Sequence, residues 1–230
     1  MGTLILAVAA FVGTHFALSH PLRAPLVARL GARGFLLLYS LVAFATLGWA
    51  AHVYMAMPDQ PPLWPVGDGL WAAASVLMLA ASILLIGSLI GNPALPDPVA
   101  KPRAVPQPRG VFAITRHPMM WSFAIWALVH IAVMPMPAQI VLAAGIGVLA
   151  LVGAALQDRK KASLEPDFWP QWAARTSYFS FTAIIARRLP LSAARLRPHD
   201  WAGGIALWLA ATWAHMPLAG WPAGIWRWIG

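Results

Sequence analysis

Six apolar runs, each near the roughly 20 residues that an α-helix needs to cross a bilayer, constrain this chain more than any other feature. They fall at about 2 to 20, 34 to 57, 69 to 91, 118 to 134, 138 to 157 and 201 to 217, the fourth and sixth being the shortest. Of the 230 residues 60% are hydrophobic and 10% charged, against about 25% charged in soluble domains. The expectation is an all-α integral membrane helical bundle: one transmembrane domain over residues 1–230, with about six spans. Residues 1 to 10 carry no Lys or Arg, and no small-residue cleavage site follows the first run. That run therefore reads as a retained helix and not as a secretory signal.

The basic residues order the runs. Arg23, Arg29 and Arg33 follow the first, Lys101, Arg103, Arg109 and Arg116 follow the third, and eight more, from Arg159 to Arg197, follow the fifth. Those three loops hold 15 of the 16 basic residues; the loops after the second and fourth runs hold none, and Arg227 stands alone near the far end. By the positive-inside rule this predicts a multi-pass protein of a bacterial inner membrane with both termini periplasmic. The net charge of +9 then points to anionic lipid headgroups and away from nucleic acid, because the charges flank spans.

Between the runs, GNPALPDPVAKPRAVPQPRG (91 to 110) carries six prolines and is expected to be an extended strap, since proline removes helix hydrogen bonds. WPQWAARTSYFSFTAIIARRL (169 to 189) is amphipathic enough to predict an interfacial helix. The tryptophan-dense end, WLAATWAHMPLAGWPAGIWRWIG, suits an aromatic belt at the outer interface.

The available chemistry is narrow. Without cysteine there are no disulfides, thiolate ligands or cysteine nucleophiles. All seven acidic residues lie in loops or at span ends, which argues against carboxylate-bridged metals and carboxylate-based ion transport. Histidine remains. His15, His52, His130 and His215 fall within runs, His20 and His117 at their cytoplasmic ends, and His199 in a loop. A single such histidine is as readily a core residue bonded to a backbone carbonyl, but imidazoles on four helices suit haem iron or a borderline transition metal.

Spacing restricts which of them cooperate. His117 and His130 are about 20 Å apart along a helix and on nearly opposite faces, so they cannot share one metal. His52, His130 and His215 lie roughly 20 to 27 Å from the cytoplasmic end, and His15 lies nearer to it. A bis-imidazole haem holds its ligand backbones about 12 Å apart, which leaves His15 with His130 open for a tilted porphyrin. Arg116-His117-Pro118 reads as a turn presenting cationic donors to a phosphate or carboxylate, or as an interface anchor with Pro118 opening the helix.

FVGTHFALSHPLRAPLVARLGARGFLLLYSLVA (11 to 43), GVFAITRHPMMWSFAIWALVHI (110 to 131) and DFWPQWAARTSYFSFTAII (167 to 185) resemble the NnrU family of bacterial membrane proteins, named from denitrification gene clusters. That family is in turn similar to the plant and cyanobacterial 15-cis-zeta-carotene isomerase. The resemblance implies haem b held by His15 and His130 as metal ligands, with His52 and His215 as secondary candidates. It further implies an apolar small-molecule substrate, and an enzymatic role, if there is one, in haem-dependent cis-trans isomerisation of a carotenoid-like polyene; the alternative setting is nitrogen-oxide metabolism. The isomerase has a cysteine three residues before its second histidine where this chain has Ala127, so a cysteine-to-iron ligand switch has no counterpart here. The RHPMMW turn also resembles the RHP motif of membrane methyltransferases related to isoprenylcysteine methyltransferase. That likeness implies S-adenosylmethionine at Arg116 and His117, although of the acidic pair those enzymes carry only Glu165 stands near the place. A non-catalytic assembly partner of a denitrification enzyme is the third reading.

Overall fold

The computed structural model describes residues 1–95 and 104–229. It is all-helical and consistent with a membrane bundle. The long helices are α1 (Gly2–Ser19), α2 (Arg23–Met55), α3 (Asp68–Gly87), α5 (Pro118–Val133), α6 (Pro137–Leu164) and α9 (Pro198–Ala219). Short helices fill the connections: α4 (Val111–Ile114), α7 (Trp169–Arg175), α8 (Thr182–Ile185) and α10 (Trp226–Ile229). Four of the long helices, α1, α2, α3 and α6, are long and apolar enough to cross a membrane by length and composition, and α5 is a shorter apolar helix of 16 residues.

The helix ends follow the sequence. Proline stands in the first turn of α5, α6 and α9, where its missing N–H leaves no bond unmade. Within α2, Gly31 breaks the helix at φ 69°, a left-handed conformation that glycine tolerates best. Residues 23 to 30, expected to be loop, are thus a helical turn set at an angle to the apolar run beyond.

Packing places the long helices in the spatial row α2, α1, α6, α5, α3, α9. Small residues bring neighbours close. A Cβ on Gly204 of α9 would lie 2.7 Å from Ile83 Cα of α3, so the two backbones nearly touch. On the other side, Leu4, Ala7 and Val8 of α1 bury against Ala50 and Ala138.

Two expectations for the loops change. The amphipathic stretch after α6 does not form one surface helix: it breaks into α7 and α8, and Trp169 and Trp172 are buried against Val111, Phe112 and Leu84. Residues this large contribute most when fully covered, so the aromatic face packs against protein. The proline strap lies partly outside the described residues, at 96–103; of the rest, Ala94 is buried and Pro108 fully buried, so the segment is held against the bundle. The C-terminal Trp213, Trp221 and Trp228 are exposed, as an aromatic belt requires.

Candidate functional site

The end of the bundle carrying the α1–α2 connection, the start of α5 and the end of α6 holds most of the polar chemistry; we call it the basic end. A cavity of about 820 Å3 opens there among α1, α2, α5 and α6. Along α6 its wall runs from Ile146 to Leu164, about 27 Å at 1.5 Å per residue. Phe11, Phe35, Leu36, Phe123, Trp126 and Leu149 make the wall chiefly apolar. Such size and lining suit a small-molecule or cofactor site.

His15 stands in that wall. Its Nδ1–H donates to the Phe11 carbonyl one turn earlier at 2.8 Å, which leaves Nε2 as the basic, unprotonated nitrogen; a metal-ligating histidine is set up in the same way. The rings of Phe11 and Tyr39 meet the imidazole edge-on at 4.5 and 5.3 Å and fix its plane. Toward the basic end the wall becomes polar with Ser19, His20, Arg23, Gln157 and Lys160.

The other histidines are placed differently. His130 is not on the cavity wall; its ring stacks on Trp126 at 4.0 Å, and Trp126 is. The His130 imidazole lies 6.2 Å from that of His215, and each donates its Nδ1–H to the carbonyl four residues earlier. His15 thus lines the cavity while His130 lies off it, stacked on the wall residue Trp126, and His52 is exposed on α2. Among the described residues no three His, Cys, Asp or Glu side chains are gathered to hold a metal. The cavity thus offers a metal-bearing cofactor the imidazole of His15, within an apolar wall that carries cations at its mouth.

Arg116 and His117 form a second polar centre with a partner 41 to 42 residues away in sequence. Arg116 Nε donates to both oxygens of Asp158 on α6 at 2.9 Å, and His117 Nε2–H donates to Asp158 Oδ1 at 2.8 Å. Around them Thr115 and Trp121 donate to the Tyr178 carbonyl at 2.7 and 2.8 Å, and the Arg116 guanidinium lies over the Tyr178 ring. Burial, reinforced by the nearby Asp158 charge, pushes the Tyr178 phenol above its usual range, so it remains a donor, to Leu151 O at 2.6 Å. His117 is only 2% exposed and its Nδ1 is buried with no partner. Glu165, the acid nearest the methyltransferase pattern, pairs instead with Lys161 at 2.6 Å.

Asp158 was not legible as the partner of this turn, because it begins the charged run DRKK and reads there as a solvated residue. The available signal was physical: an Arg-His pair entering an apolar helix needs a carboxylate, and Asp158 is the acid that directly continues the fifth apolar run.

No curated protein and no solved structure matches the chain. The model of the family described as NnrU protein matches residues 3–223, which takes in the cavity, His15, the Arg116–His117–Asp158 centre and α9. The chain belongs to the NnrU family.

Proposed function

We propose that this NnrU protein is a haem-binding protein of the bacterial inner membrane, with haem b in the cavity and His15 as axial ligand. Its setting on this reading is nitrogen-oxide metabolism or the cis-trans isomerisation of a carotenoid-like polyene. The observation that carries the reading is an imidazole whose Nδ1–H is committed to Phe11 O while the residue itself lines an apolar cavity of about 820 Å3. Bound haem would supply an iron centre. The chain's own part would be to orient the imidazole through Phe11, to offer an apolar lining with Phe11, Phe123 and Trp126, and to exclude water along α6. His130 is the proposed second ligand; it now lies off the cavity wall, stacked on Trp126, so its use as a ligand would require that stack to open.

Methyl transfer from S-adenosylmethionine at the Arg116–His117 turn has less support, since Asp158 engages both side chains. A pyridine haemochrome spectrum of the purified protein tests the haem reading. A Soret band is expected in the wild type and lost in His15→Ala, while the spin state of His130→Ala separates one-histidine from two-histidine ligation. A folded wild-type protein with no Soret band after haem supply would sink the reading.

A further inference from the structure

Arg23 and Lys160 differ from the other covered cations of this protein. Among the described residues, every other basic side chain that is buried or half-buried has an oxygen partner: Arg116 has Asp158, Lys161 has Glu165, Arg175 has the Val105 carbonyl, Arg197 has Asp200 and Arg227 has Asp68. Arg23 and Lys160 are half-buried, line the cavity, and among the described residues have no carboxylate or carbonyl at hydrogen-bond distance. They come from different helices, α2 and α6, and are brought to the same mouth. Gathering cations beside an apolar wall costs desolvation and repulsion unless an anion offsets both.

The cavity is graded along its length. At its deep part it is formed by Leu47, Ile146 and Leu149, at its middle by His15 and Tyr39, and at the basic end by Arg23 and Lys160 beside the mutually paired Lys161 and Glu165. A ligand complementary to that gradient is apolar over most of its length and negatively charged at one end. We infer that the cavity takes an amphiphilic anion, whose carboxylate or phosphate is held by Arg23 and Lys160 while its apolar body lies along α6. The inference rests on the preceding reading for its cavity, and the propionates of haem are one such anionic end; an anionic lipid or fatty acid is the other source of the same chemistry. Arginine presents a planar fork to a carboxylate or phosphate and lysine a point charge, so the pair accepts either group.

The test uses the full chain in an uncharged detergent and two matched probe pairs: spin-labelled stearic acid with its methyl ester, and haem b with its dimethyl ester. Free stearate should bind about tenfold or more tightly than the ester. Arg23→Gln with Lys160→Gln should bring the two within about threefold, with ester affinity and helical circular dichroism kept as the measure of folding. Arg29→Gln with Arg159→Gln, exposed cations at the same end, should leave the preference intact. Equal binding of acid and ester to the wild type, equal loss in the control variant, or no binding of any probe overturns the inference. Charge-selective stearate binding without a Soret band from either haem keeps the inference and removes the haem reading; equal Soret bands from haem and its ester, with stearate no better than its own ester, do the reverse. With the preference established, displacement of stearate by phosphatidylglycerol in lipid discs assigns the anion to the membrane, and its failure assigns it to a free amphiphile.

Discussion

Asp158 accepts from two side chains of the turn before α5, Arg116 and His117, and at the residue scale this makes it the side chain whose loss should be felt most. Replacing it by Asn keeps the shape but leaves the Arg116 charge without its counter-ion in a site where Asp158 is 20% and His117 1% exposed at the side chain. Removing one partner of a largely buried pair costs on the order of 3 kcal/mol. Asp158→Asn should therefore lower the thermal midpoint in detergent by several degrees, while Asp167→Asn, exposed and without a salt-bridge partner among the described residues, should leave it in place; equal midpoints for the two variants would refute this role. His15 was legible as a candidate because an imidazole inside an apolar run is costly without a purpose. That His130 would lie off the cavity, stacked on Trp126, was not legible, since sequence spacing gives depth and face within one helix and says nothing of which side chains line a cavity.

At the scale of elements, hydrophobic length accounts for the long helices and proline for three of their starts. The six apolar runs all became helices, because a backbone in an apolar medium must satisfy its own hydrogen bonds. The stretch 169 to 189 is where that logic misled: amphipathicity is the same whether the apolar face meets lipid or protein, and Trp169 and Trp172 meet protein. Helix approach is decided by glycines whose sequence context is ordinary. Gly204 faces the Ile83 backbone, whereas a Cβ on Gly203 would meet the Ile86 Cγ2 methyl at 2.7 Å and no backbone atom among its nearest neighbours, so a shift of one side chain relieves it. Gly204→Ala should cost about 1–3 kcal/mol by overpacking and Gly203→Ala clearly less, measured as thermal midpoints; the opposite order would refute the close α3–α9 contact.

For the whole molecule, the row of helices gathers the α1–α2 connection, the RHP turn and the end of α6 at one end, and it is this gathering that creates the cavity. The alternation of basic loops foretold that these segments share a side, but not that Arg23 and Lys160 would come to one mouth, since that depends on α1 packing against both α2 and α6. On the proposed orientation, which follows the positive-inside reading of the basic loops, that end faces the cytoplasm. Because the chain has no cysteine, single thiols report this without background. In spheroplasts, a membrane-impermeant maleimide should label Trp221→Cys at once and Arg29→Cys only after permeabilisation, and the reverse pattern would invert the proposed orientation.

Chemical rescue tests the central claim, haem in the cavity on His15, most directly. His15→Gly removes the imidazole and leaves the cavity wall otherwise intact. The prediction is a Soret band in the wild type, its loss in His15→Gly, and its return when imidazole is added to the variant with haem. An undiminished Soret band in His15→Gly without imidazole would contradict the claim.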